Sequence, residues 1–227
     1  DTSVSRGLGD VYKRQRLLSA PHSGGSFGIK QGLYPYLVLL AAASRLLECP
    51  LKWIEDRLEH LAASSSASDR ADEIEAAFDE NGVLTGIRYN NLVNVGAYVR
   101  APEPASVYRM HAASNGCYQV QNIAVENRLV TTNKSPIGLN RGYGGPQFYF
   151  GLERAMDTAA RQLNMDPAEI RRRNFIPADA FPYEAPAGAI YDAGDYTKGL
   201  DLLLVMSGYS DLVAKRAEAK AAGRLFG

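Results

Sequence analysis

Residues 74–89 read Ile74-Glu75-Ala76-Ala77-Phe78-Asp79-Glu80-Asn81-Gly82-Val83-Leu84-Thr85-Gly86-Ile87-Arg88-Tyr89, and they predict a β-hairpin. Ile74, Ala76 and Phe78 alternate with polar or small neighbours, as do Val83, Thr85, Ile87 and Tyr89. This two-residue period marks half-buried strands. Asn81-Gly82 stands between the runs and is a strong hairpin-turn signal. Outward from the hairpin, Leu51–Ile54, Tyr118–Gln121 and Asn127–Thr131 are further strand candidates. A helix is predicted over 148–163, because Tyr149, Leu152, Met156, Ala159 and Leu163 recur at helical spacing, with Asp157 and Arg161 one turn apart on the other side. Asp166-Pro167-Ala168-Glu169 opens a short helix with Asp at the N-cap, Pro in the first turn and Glu placed for a capping box. The Pro-rich stretch 177–186 separates it from helices expected over 197–206 and 211–222. Upstream, 31–47 predicts a helix that is apolar nearly all round, hence buried, and ended by Pro50. Strands and helices are mixed without strict alternation, so the expected fold class is α+β.

The 227 residues are 46% hydrophobic, enough for a real core. Twenty-five basic residues balance 25 acidic ones, so no basic excess argues for nucleic acid as a partner. No apolar run approaches the roughly 20 residues of a membrane span; Leu33–Leu47 is broken by Pro35, Ser44 and Arg45. Cys49 and Cys117 make no disulfide framework and are too few for an iron–sulfur cluster, so each is expected to be a buried free thiol.

Two glycine-rich loops carry the chemistry. Gly24-Gly25-Ser26-Phe27-Gly28, followed by Lys30, is not a phosphate loop: the lysine does not directly follow a glycine, and Gln31 stands where Ser or Thr is needed. It is either a structural turn or a place where glycines let backbone N–H groups approach an anionic or oxo ligand. Asn140-Arg141-Gly142-Tyr143-Gly144-Gly145-Pro146-Gln147 sits just before a helix N-terminus, where backbone donors favour anions. Arg141 is either the charge of such a site or a plain surface arginine.

Together these segments resemble the large, molybdopterin-binding subunit of the xanthine dehydrogenase/aldehyde oxidase/CO dehydrogenase family. The first loop resembles that family's Gly-Gly-x-Phe-Gly-x-Lys cofactor loop. Lys52-Trp53-Ile54-Glu55-Asp56-Arg57 through Glu59 is similar to its Lys-Trp-x-Glu-x-Arg-x-Glu, and Gly96-Ala97-Tyr98 to its Gly-Ala-Tyr. Asn140–Gln147 is similar to its Arg-Gly-Phe-Gly-Gly-Pro-Gln loop, and Glu153–Asn174 to the helix pair behind that loop. The resemblance covers residues 21–227. It implies a molybdenum cofactor in the cytosine dinucleotide form, hydroxylation of a small-molecule substrate by water-derived oxygen, iron–sulfur and FAD subunits as partners, and a cytoplasmic complex.

Residue by residue, it implies that Gly24, Gly25, Phe27, Gly28, Arg141 and Gly142 bind the cofactor. Phe27 and Arg141 would lie beside the metal. Gln31 and Tyr143 would meet the substrate, and Arg109 would stabilise the transition state, unless it is a surface arginine beside Tyr108. Xanthine enzymes of the family carry a glutamate where Gln31 stands, which disfavours purines. Copper-containing CO dehydrogenases carry a cysteine where Gly142 stands, which disfavours CO. An aldehyde or an N-heterocycle is left as the substrate. The family's general base and a second cofactor loop would fall beyond Gly227, and a metal-side glutamine before residue 16. Glu55 and Glu59 are expected to pair with Arg57 or Lys52 and are not nominated as bases. Residues 5–15 match one reading frame of a transposase-type sequencing adapter, so 1–15 are expected to be adapter-derived and 16–227 a partial, truncated domain, inactive alone. Two other readings stay open: a small anion-binding module without catalysis, and a truncated sequence with no protein behind it. A CO dehydrogenase-like large subunit by name remains the enzymatic alternative.

Overall fold

A computed structural model describes residues 24–30, 35–67, 69–101 and 103–226. The adapter-like segment 1–15 and Gln31 lie outside these residues.

The hairpin forms where the alternation places it. Strand β1 (Asp69–Phe78) pairs antiparallel with β2 (Leu84–Asn94), with Ile74 opposite Tyr89 and Ala76 opposite Ile87. Asp79 organises the turn: its Oδ1 accepts from the Asn81 and Val83 N–H groups at 2.9 and 2.8 Å, and its carbonyl from Gly82 N–H at 3.0 Å. The register slips between Ala77 and Phe78. This bulge reverses the facing of the strand's start. Leu84 is therefore buried in the core, while Val83 and Thr85, expected to face inward, are exposed. Strand β3 (Asn122–Val130) adds parallel to β2, giving the order β1-β2-β3. It starts earlier than the expected Asn127, and the expected strand at 118–121 shrinks to one bridge between Tyr118 and Phe175.

Helices cover one face of the sheet. Near the N-terminus of the described chain, α1 (Pro35–Leu47) is followed by α2 (Arg57–Ala63), and the short α3 (Ala105–Tyr108) comes after the hairpin. Helix α4 (Gly145–Gln162) presses Phe148, Leu152, Met156, Ala159 and Ala160 onto Leu84, Ile87, Tyr89, Tyr118 and Val120. Of its expected apolar face, Tyr149 is half-buried and Leu163 lies at the exposed margin. A glycine inside a helix costs about 1 kcal/mol relative to alanine. Gly151 lets Ile74 pack against the helix: a Cβ there would stand 1.9 Å from Ile74 Cδ1, so that side chain would have to turn away. Asp157 turns to Arg171 at 2.9 Å rather than to Arg161, which donates to Thr158 Oγ1. Asp166 caps α5 (Pro167–Asn174) by accepting from Ala168 and Glu169 N–H, but Glu169 pairs with Arg173 at 2.8 Å instead of closing a capping box. A two-stranded ribbon, β4 (Tyr183–Glu184) and β5 (Ile190–Tyr191), leads to α6 (Tyr196–Ser207) and α7 (Tyr209–Ala221). The mixed α+β architecture is as expected.

Several local expectations are corrected. No residue of α1 is buried, and Leu39, Leu46 and Leu47 are each more than 60% exposed. Its all-round hydrophobicity is real, but beyond the Tyr36 ring packed against Trp53, 4.3 Å between centres, the described chain leaves its apolar side chains exposed or half-buried. Leu51–Ile54 is not a strand; the chain runs without regular structure to α2, whose start is set by a reciprocal capping box between Asp56 and Glu59. Glu59 thus serves the helix end, and Glu55 pairs with His60 Nδ1 at 2.8 Å rather than with Arg57 or Lys52. Cys49 is exposed; Cys117 is half-buried, and burial pushes its thiol up to about 11. Among the described residues no helix is long and apolar enough to cross a membrane.

Candidate cofactor and substrate site

The two glycine loops lie against one another. The Arg141 N–H donates to the Phe27 carbonyl at 2.8 Å, and the Arg141 guanidinium lies over the Phe27 ring, 5.7 Å from its centre. Behind this junction the chain is seamed a second time: Gly138 N–H donates to Ser66 O at 3.0 Å, and Ser65 Oγ donates to Ile29 O at 3.4 Å. The first loop follows a path open to few side chains, with positive φ at Gly25 (90°), Phe27 (51°) and Gly28 (98°). A Cβ on Gly28 would meet the Leu139 carbonyl oxygen at 3.0 Å, so this glycine sets how closely the loops approach. Phe27 is not a glycine, and φ > 0 is uncommon for such a residue. Its Arg141 contacts and the Ile29-to-Ser26 turn bond hold it there.

The N–H groups of Phe27, Gly142, Tyr143 and Gly144 find no acceptor among the described residues. The last three follow one another into the N-terminus of α4, with φ 74° at Gly142 and 83° at Gly144. Successive N–H groups on such a path, at the positive end of an 18-residue helix, form an anion-binding concavity. Arg109 and Arg141 are exposed, and neither faces a carboxylate among the described residues.

Arg109 and Tyr143, 34 residues apart in sequence, come together. Arg109 Nη1 donates to Tyr143 Oη at 2.6 Å, and the guanidinium sits 5.3 Å from the ring centre. Two pairs therefore assemble, Phe27 with Arg141 and Arg109 with Tyr143. Gly24 and Gly25 precede the first pair: a Cβ on Gly24 would touch nothing within 4 Å, and one on Gly25 would meet the Phe27 ring at 3.6 Å. Sequence reasoning passed over Gln147, whose Oε1 is buried without a partner at the second loop's end, although the residue closes the loop quoted above. It borders a cleft of about 1010 Å³ between β1 and α4, lined also by Arg70, Asp72 and Arg154. That cleft shares only Pro146 and Gln147 with the loop and lies off the two pairs.

No group of three or more His, Cys, Asp or Glu among the described residues could hold a metal ion. The site offers N–H donors and guanidinium charge instead, which suits a metal delivered inside an anionic organic ligand.

Comparison with known proteins agrees with this chemistry. Residues 4–175 match the molybdopterin cofactor-binding domain. The chain is 34% identical over 223 residues to the nicotine 6-hydroxylase large subunit of Paenarthrobacter nicotinovorans, covering 97% of this chain and 27% of that one. It is also 34% identical to the carbon monoxide dehydrogenase large chain of Hydrogenophaga pseudoflava, covering 97% and 28%. Quinoline 2-oxidoreductase from Pseudomonas putida 86 superposes with a TM-score of 0.82 at 35% identity, covering 88% of this chain and 26% of that one. The chain spans about a quarter of the length of these relatives. It belongs to the molybdopterin-binding large subunits of the molybdenum hydroxylases, the family of xanthine dehydrogenase, aldehyde oxidoreductase and CO dehydrogenase.

Proposed function

We propose that this chain forms the part of a hydroxylase large subunit that holds the metal end of a molybdopterin cytosine dinucleotide and one face of an aldehyde or N-heterocyclic substrate. The bond from Arg141 N–H to Phe27 O carries the proposal, because it locks two donor-rich loops into one rim. When bound, the cofactor supplies a metal centre that accepts two electrons from the substrate and passes on a water-derived oxygen. The chain's residues position and polarise. The Phe27, Gly142, Tyr143 and Gly144 N–H groups donate to oxo or other anionic oxygens, with Gly24, Gly25 and Gly28 shaping the approach. Arg141 adds positive charge there. Tyr143 offers a flat face, and Arg109 offers charge where negative charge develops on the substrate. Gly142 supplies no thiolate for copper, which speaks against CO as substrate. The general base comes from a segment outside these 227 residues. Electrons leave through iron–sulfur and FAD subunits of a cytoplasmic complex, so this chain by itself turns nothing over.

The test is compositional. In the assembled enzyme carrying this chain, acid hydrolysis should release one cytidine monophosphate per molybdenum; release of guanosine monophosphate, or a protein free of molybdenum after expression with molybdate, would refute the reading. Specificity gives a second expected result. Gln31→Glu should raise kcat/KM for a purine relative to an aromatic aldehyde, since a carboxyl group exchanges a proton with a ring nitrogen and an amide cannot. If the ratio does not move, Gln31 does not face the substrate.

A further inference from the structure

We infer that the Tyr143 hydroxyl is a substrate-recognising hydrogen-bond donor, held in place by Arg109, and that it selects flat substrates with an acceptor lone pair on the ring system. The inference rests on the reading of this rim as the substrate site, and it names which substrates that site prefers. Guanidinium nitrogens only donate, so in the 2.6 Å contact Arg109 Nη1 donates and Tyr143 Oη accepts. The phenol proton is therefore not used in that bond, and Tyr143 Oη has no second partner among the described residues. Accepting a hydrogen bond from a cation strengthens the phenol as a donor. Arg109 faces no neutralising carboxylate among the described residues.

Tyr143 is half-buried in the loop, and its neighbours Gly142 and Gly144 have N–H groups with no acceptor among the described residues. Its position is fixed from two sides. The backbone is turned by the glycines, and the hydroxyl end is tied to Arg109, with the guanidinium also against the ring. A phenylalanine would supply the same flat face. The hydroxyl adds one directed donor, and a site built to donate discriminates against an isostere that has nothing to accept. A ring nitrogen or a ring carbonyl oxygen meets that requirement; a plain aromatic hydrocarbon does not.

The experiment measures binding rather than turnover. Equilibrium dialysis of the assembled enzyme, prepared without its metal so that nothing is oxidised, would give Kd for isoquinoline and for naphthalene, two flat bicycles that differ by one acceptor nitrogen. The wild type should bind isoquinoline about tenfold more tightly than naphthalene. Tyr143→Phe should abolish that preference and leave naphthalene binding unchanged. Arg109→Met should reduce the preference without changing the naphthalene value more than about twofold, because the ring remains while its hydroxyl loses its anchor. Tyr143→Leu should weaken both ligands. Retention of the full preference in Tyr143→Phe overturns this inference and leaves the substrate site standing. Binding of both ligands that is indifferent to Tyr143→Leu overturns the substrate site itself, and the inference with it.

Discussion

Replacing Gly28 by valine should strip molybdenum from the assembled enzyme. Gly28 sits at φ 98°, a conformation that a β-branched residue adopts only under strain. A Cβ there would also stand 3.0 Å from Leu139 O and 3.1 Å from both Leu139 C and Leu139 Cβ. Two of those atoms are backbone and cannot swing aside. The next residue back, Phe27, accepts the Arg141 N–H that joins the loops, so relief of the clash opens that junction. Strain of about 1–3 kcal/mol together with a lost hydrogen bond of about 1 kcal/mol corresponds to roughly thirtyfold or more in cofactor retention. Metal analysis of the purified enzyme checks this. Gly199→Ala in α6 is the control, because a Cβ at that position meets nothing within 4 Å, its φ is not in the left-handed region, and it lies outside both loops. A fully metallated Gly28→Val enzyme would show that the loop junction does not hold the cofactor.

The second large effect is expected at Asn174, far from either pair. Its side chain is buried, and its amide bonds to the backbone at three points. Oδ1 accepts from Leu84 N–H at 2.6 Å; Nδ2 donates to the Gly82 and Ile170 carbonyls, each at 2.7 Å. One amide therefore ties the hairpin turn to the C-terminus of α5, and the Asn174 carbonyl accepts from Gln119 N–H at 2.7 Å beside it. Asn174→Ala would leave a buried N–H and two carbonyls short of a partner. The expected destabilisation is about 2–4 kcal/mol. Native-state hydrogen exchange should show the Leu84 amide losing protection by about 1.5 to 3 powers of ten, in line with that energy. Asn174→Asp should recover little, because a carboxylate keeps the acceptor but cannot donate to the two carbonyls. An unchanged Leu84 exchange rate in Asn174→Ala would remove this residue from the fold's supports.

Arg171 completes the same helix pair. It bonds Glu153 and Asp157 on α4 from its place on α5, and Tyr118 donates to Glu153 at 2.8 Å from the strand side. Arg171 and Asn174 fall in a stretch that looks like part of a cofactor domain, and the structure gives both a structural task. The motif marks the family through the packing of α5 as well as through the site itself.

Local patterns in the chain determined much of this. The two-residue alternation around Asn81-Gly82 specified the hairpin, because strand facing repeats with the pleat. The helical spacing of Leu152, Met156 and Ala159 specified the buried face of α4, and Asp166-Pro167 specified the start of α5. The order of the motifs identified the family, since each is a short run of residues with its own backbone demand. What the sequence misjudged were properties set by partners distant along the chain. A bulge at Thr85, opposite Ala77 and Phe78, turned Leu84 inward in place of Val83 and Thr85. Helix α1 is apolar all round, yet burial depends on a covering surface, and the described segments bury none of its residues. Lys52-Trp53-Ile54 has strand-like composition, but Asp56 and Glu59 gain more by capping a helix, and a lone four-residue strand has no neighbour to satisfy its backbone. The meeting of Phe27 with Arg141 and of Arg109 with Tyr143 joins residues 114 and 34 positions apart. Sequence named all four of them; only the tertiary fold, by fixing where α4 begins against the first loop, decided which touches which and left the Phe27 and Tyr143 N–H groups and the Tyr143 O–H without an acceptor among the described residues.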